Sequence, residues 1–109
     1  MKADNPGMQF FAYNAKVADI THADTNKHTV SLATMGLPLN TVAMVILVNR
    51  VAGTGNIRVY SNEGTTSADL VNSGGRNWIT IGLANQRLQY DLTVANDDWD
   101  LFCLGYWTE

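Results

Sequence analysis

Two histidines, one cysteine and ten carboxylates are the stock of nitrogen, sulfur and acid groups from which this 109-residue chain could build chemistry. His22 and His28 flank one polar turn, and a pair six apart has no usual zinc spacing. Cys103 lies inside the apolar run WDLFCLGYW (99–107), where a thiol is inert packing rather than a nucleophile. No Gly-x-Ser-x-Gly elbow is present. Oxygen ligands make a better case: Asn96-Asp97-Asp98 with Asp100 puts three carboxylates within five residues, a loop composition that can hold Ca²⁺. The segment lacks the glycine and glutamate of an EF-hand, and its ordinary reading is a turn whose acids keep strand edges soluble. Acids for glycoside hydrolysis would have to come from Glu63, Asp69, Asp91, Asp98 or Asp100, and spacing nominates no pair among them. Gly53-Thr54-Gly55 and Gly74-Gly75 lack the Lys-Ser/Thr of a nucleotide loop and read as turns. The expectation is no catalytic residue, no metal ligand and no cofactor.

The totals narrow the class of partner. A net charge of −3 with seven scattered Lys and Arg offers no cluster for phosphate, so nucleic acid is not expected. No apolar run approaches the roughly 18 residues of a membrane span. The opening residues MKADNPGMQFF carry charges and Pro-Gly where a signal peptide needs an apolar core. With a single cysteine and no intrachain disulfide, folding in a reducing cytoplasm is expected. The hydrophobic content of 46% with 16% charged residues suits one globular domain.

The elements that must position any site centre on residues 41–51, TVAMVILVNRV. Eight of these eleven residues are apolar, on both alternating sets of positions, and five are Val or Ile. That pattern predicts a central strand covered on both faces. Around it, residues 28–33 (HTVSLA) and 56–61 (NIRVYS) alternate; in the second, Ile57 and Val59 point inward and Arg58 and Tyr60 outward. The glycine-rich residues 52–56 read as the turn of a hairpin joining the central strand to 56–61. Residues 67–71 read as a short strand or crossing, and 77–82 (NWITIG) as a strand.

Residues 87–94 (RLQYDLTV) show the cleanest alternation, with Leu88, Tyr90, Leu92 and Val94 inward and Gln89, Asp91 and Thr93 on a wet face. The last strand, 99–107, is apolar on both faces and so internal or covered. Helical periodicity is absent. The expected fold is all-β: an antiparallel β-sandwich, jelly-roll or Ig-like, of about seven to eight strands with an N-terminal arm. Residues 1–16 form that arm or an edge strand, and 17–109 the sandwich.

Aromatic residues suggest contact rather than chemistry. Phe10, Phe11 and Tyr13, near the N-terminus, are the candidate partner-binding residues, because a monomer that left them bare would be sticky. Trp78, Trp99, Trp107, Tyr60, Tyr90 and Tyr106 could stack on pyranose rings where exposed, and Trp78 and Trp99 begin strands near a rim.

The run Gly36-Leu37-Pro38-Leu39-Asn40-Thr41-Val42-Ala43-Met44-Val45-Ile46-Leu47-Val48-Asn49 resembles a "GVP-x-N-x-x-AV-x-L-x-V" segment. Gly55-Asn56-Ile57-Arg58-Val59-Tyr60 follows as "G-x-L-x-V-Y", then Arg87-Leu88-Gln89-Tyr90 and a final Gly105-Tyr106-Trp107. This order is similar to small β-sandwich domains that repeat on bacterial surfaces and occur in phage virion structural proteins. The matched positions are structural and carry no binding residues across. The resemblance implies a structural protein of a bacteriophage particle, assembled in the host cytoplasm. Its narrow form is a capsid decoration or cement protein held to the major capsid protein or another virion protein. Self-association, as a trimer, is expected from the arm and the two-faced last strand. The alternative is a carbohydrate-binding or receptor-binding sandwich module of a tail or head fibre.

Overall fold

The structure, a computed structural model, describes residues 8–61, 70–72 and 76–109. In chain order the strands are β1 (Gln9–Ile20), β2 (His28–Ser31), β3 (Thr41–Ala52), β4 (Ile57–Tyr60), β5 (Leu70–Asn72), β6 (Arg76–Gly82), β7 (Arg87–Leu92) and β8 (Asp98–Thr108). One helical turn, α1 (Leu32–Met35), separates β2 from β3. The strands make two four-stranded antiparallel sheets, β1-β8-β3-β6 and β2-β7-β4-β5. The pairings β1–β8, β2–β7, β3–β6 and β4–β5 are those of one long hairpin folded over on itself. That is the strand order of a jelly roll, so the expected antiparallel β-sandwich takes this form rather than the Ig-like one.

β3 is internal, held between β8 and β6, as its β-branched composition predicts. Its inward set Met44, Ile46 and Val48 is fully buried. It packs in one core with Trp99, Leu101 and Cys103 of β8, Ile81 of β6, Ile57 and Val59 of β4, and Leu88 and Leu92 of β7. Each such side chain contributes about 1.5–3 kcal/mol through burial. Leu88, Tyr90 and Leu92 face this core, in line with their alternation, whereas Val94, expected to share that face, lies beyond the end of β7 and is exposed.

Four expectations change. First, residues 53–56 do not close a hairpin: β3 and β4 lie in different sheets, and the turn carries the chain across the sandwich. Glycine supplies the tight reversal in either case, so composition cannot tell a hairpin from a crossing. Second, residues 32–35 leave the strand for a helical turn. Ser31 Oγ accepts the N–H of Thr34 at its start, and Gly36 takes φ 76° at its end. One turn is too short to show a period. Third, Tyr60 and Asp91 do not face water; both are buried. Fourth, residues 9–20 form one strand along the sheet edge, so the division placed at residue 16 falls inside an element. Of the arm, residues 1–7 lie outside the described residues, as do 67–69 of the short segment that ends in β5.

Candidate functional site

A face with no cover among the described residues is the strongest surface feature of the molecule. β3 and β8 carry apolar side chains on both faces, yet only their inner faces meet the second sheet. Register defines the outer face row by row. Phe10, Trp107, Ala43 and Gly82 lie abreast across the four strands; Ala12, Gly105, Val45 and Thr80 form the next row. Lys16, Phe102, Leu47 and Trp78 form a third. Leu47, in the middle of the third row, is buried at 7% exposure although it stands outside the main core cluster. Trp78, at the β6 edge, is 68% exposed. At one end of the face charge enters, where Lys16 Nζ sits 2.8 Å from Asp19 and 3.7 Å from Asp100.

Bulges shape this face. β1 places an extra residue opposite β8 between Ala12 and Ala15, where Asn14 takes φ 78°, a conformation asparagine tolerates. β8 carries its own at Leu104, between Cys103 and Gly105. The shift turns Gly105 outward and lets the Phe10 ring lie over its backbone; a Cβ there would be 2.3 Å from Phe10 Cζ.

The three candidate contact residues are all exposed, at 42–50%, but the structure does not bring them together. Phe10 packs on Trp107 of the outer face, ring centroids 4.6 Å apart. Phe11 and Tyr13 lie on the opposite side of β1 against Tyr106, at 5.4 and 5.8 Å. The apolar face itself was legible only as the double-sided apolarity of two strands; the rows that assemble it depend on register.

The six candidate sugar-stacking aromatics also divide. Trp99 and Tyr90 are core residues. Tyr60 is buried, its hydroxyl donating to Asp91 Oδ2 at 2.8 Å, with Lys27 Nζ 4.3 Å from its ring centroid. Tyr106 packs beside the core, leaving Trp78 and Trp107 on the outer face.

Of the candidate acids, Glu63 and Asp69 lie outside the described residues. Asp97, 3% exposed, accepts the N–H groups of Thr54 and Gly55 at 3.3 and 2.7 Å and so holds the crossing turn. Asp100 pairs with Lys16 on the outer face. Among the described residues no three His, Cys, Asp or Glu side chains form a metal-binding group. Asp91 accepts from Arg58 Nε at 2.7 Å as well as from Tyr60, a cross-strand network between β4 and β7. Burial first, then this carboxylate, raises the Tyr60 pKa; the Arg58 hydrogen bond to the same carboxylate raises that of Arg58.

The histidines are not separate surface groups. Their rings stack 3.6 Å apart at one end of the core. His22 Nε2 meets the Tyr90 hydroxyl at 2.8 Å, and His28 Nε2 donates to Asp24 at 2.7 Å. Desolvation, then the charge of His28, lowers the His22 pKa, opposed by Asp24. Cys103 is buried, and that burial raises its thiol pKa, which disfavours the reactive thiolate.

No family model matches the chain, and no curated protein matches it.

Proposed function

We propose that this chain is a structural subunit that works by protein–protein contact, and in its narrow form a bacteriophage capsid decoration protein that stabilises the head. The observation that carries the reading is the aromatic and aliphatic outer face of the β1-β8-β3-β6 sheet, which no other element covers among the described residues. Burial of that face on an assembly accounts for the apolar residues on both sides of β3 and β8. Jelly rolls serve in viral capsids and in lectins, and the order of segments from Gly36 to Trp107 resembles small β-sandwich domains of bacterial surface repeats and phage virion structural proteins. A fold of this kind hosts many functions, so the weight rests on the face. On a symmetric lattice many modest contacts act together, so each copy is held more firmly than by a single contact.

The test is made on particles purified from cells infected by a phage that encodes the chain. The expected result is a fixed copy number per head, and rebinding of purified protein to heads stripped of it. Phe102→Glu on the outer face should abolish rebinding while leaving the fold intact. Absence of the chain from the particle overturns the reading.

The exposure of Trp78 favours a second reading, a carbohydrate-binding module with Trp78 as its stacking platform. It predicts saturable quenching of tryptophan fluorescence by host-surface oligosaccharides, lost in Trp78→Ala. Flat fluorescence across an oligosaccharide panel rejects it.

A further inference from the structure

We propose that the bare face pairs with itself: two copies stack their β1-β8-β3-β6 sheets about a twofold axis running close to the strand direction. The proposal rests on the reading of this face as a contact surface and names its occupant as a second copy of the chain.

Register supplies the argument. Such an axis between β8 and β3 keeps each row opposite its own row and reverses the strand order. β8 then faces β3 of the second copy, and β1 faces β6. Large side chains fall opposite small ones. Trp107 meets Ala43, and Phe10 meets Gly82. Val45 lies opposite Gly105, where the Phe10 ring of the same chain covers the backbone, so Val45 packs on that ring. In the third row Phe102 meets Leu47, twice over by symmetry. The Lys16 stem meets the Trp78 ring, which sets a cation near an indole face. No charged row lies over a like-charged row in the middle of the stack; at the charged end Asp100 meets Asn49.

Area agrees. β3 and β8 are 12 and 11 residues long. At about 3.3 Å per residue and about 4.8 Å between strands, the four-stranded face covers roughly 700 Å². A standard stable interface buries about 800 Å² per partner. A twofold also closes at two copies, in place of the trimer expected from the sequence.

The experiment is sedimentation equilibrium of the full chain over a wide concentration range. The expected mass is that of two 11.9 kDa chains. Val45→Glu, at the middle of the face, should give a monomer with an unchanged far-UV spectrum. Thr80 and Ala12 are exposed and lie at opposite edges of one sheet, three strand spacings apart, but face each other across the twofold. Thr80→Glu and Ala12→Lys should each weaken the dimer, and the two together should restore it to within about threefold of the parent, as coupled sites do. A parent chain that is monomeric throughout overturns the proposal and leaves the face to a different protein or to sugar. A double variant weaker than either single one overturns it as well. The two readings fail separately. A monomer that still occupies particles sinks the dimer alone, whereas a dimer found in no particle sinks the virion function alone.

Discussion

A carboxylate as buried as Asp97 must find its hydrogen bonds inside the protein, and it finds them on the N–H groups of Thr54 and Gly55. Gly53, at φ 111°, lies so close that a Cβ would strike the Asp97 side chain. Asp97→Ala therefore leaves the buried Gly55 N–H unpaired, and an expected loss of about 1–3 kcal/mol follows. A urea midpoint that falls at constant slope measures it. The histidine stack gives a second residue-scale outcome. The folded state lowers the pKa of His22, so below its ordinary value near 6.5 the unfolded chain binds this proton more readily. Stability contributed by neutral His22 is present above about pH 6.5 and falls as pH drops from there towards the folded pKa. His22→Gln should flatten that part of a stability–pH curve; a curve of unchanged slope rejects the assignment. Asp24 adds a loss at lower pH: its hydrogen bond from His28, then that from the Asn26 N–H, holds its pKa below the ordinary value. Neither cluster was legible in the sequence. His22 and Tyr90 are 68 positions apart, and Arg58 and Asp91 are 33. Residue types show that such partners exist, whereas only strand register decides which of them meet.

At the scale of elements, β8 is the organiser of the bare sheet, because it pairs with β1 on one side and β3 on the other. Its Gly105 is the point where β1 comes closest, with Phe10 Cζ 2.3 Å and the Phe11 carbonyl oxygen 3.1 Å from the site of a Cβ. Gly105→Val should cost about 1–3 kcal/mol by overpacking. Its cost should shrink in a Phe10→Ala background, because the ring is the part that must move. Amide exchange across residues 9–12 should rise in the single variant and return in part in the double. The strands themselves were largely legible. β3 appears in the sequence as a β-branched run, β7 as a strictly alternating one and β8 as a run apolar on both faces, and their bounds move by two residues or fewer. The apolarity of β3 and β8 on both faces was legible too, but as cover expected within the domain. In the structure the second sheet covers one side alone.

For the whole molecule, sandwich class follows from alternation and turn spacing, but topology does not. The glycine-rich link at 53–56 suits a hairpin as well as a crossing, and only the burial of both sheets' inner faces selects the jelly-roll order. Because the outermost pair of that order joins β1 to β8, the first sheet is incomplete until both strands are present. Removing residues 98–109 should abolish cooperative unfolding rather than trim an edge, since it deletes a strand between two others. A sharp, reversible thermal transition in that truncated chain would contradict this. Folding should also fall in the slow, millisecond-to-second range of all-β domains dominated by non-local pairing.

The pairing of Gln9 with Thr108 has a mechanical meaning. The two ends of the described fold leave the same corner, on adjacent antiparallel strands. A pulling force applied at Met8 and Glu109 loads the β1–β8 ladder one rung at a time, like a zipper, instead of shearing all its rungs at once. Tethered by those ends the molecule opens gently; held by its broad face, it resists.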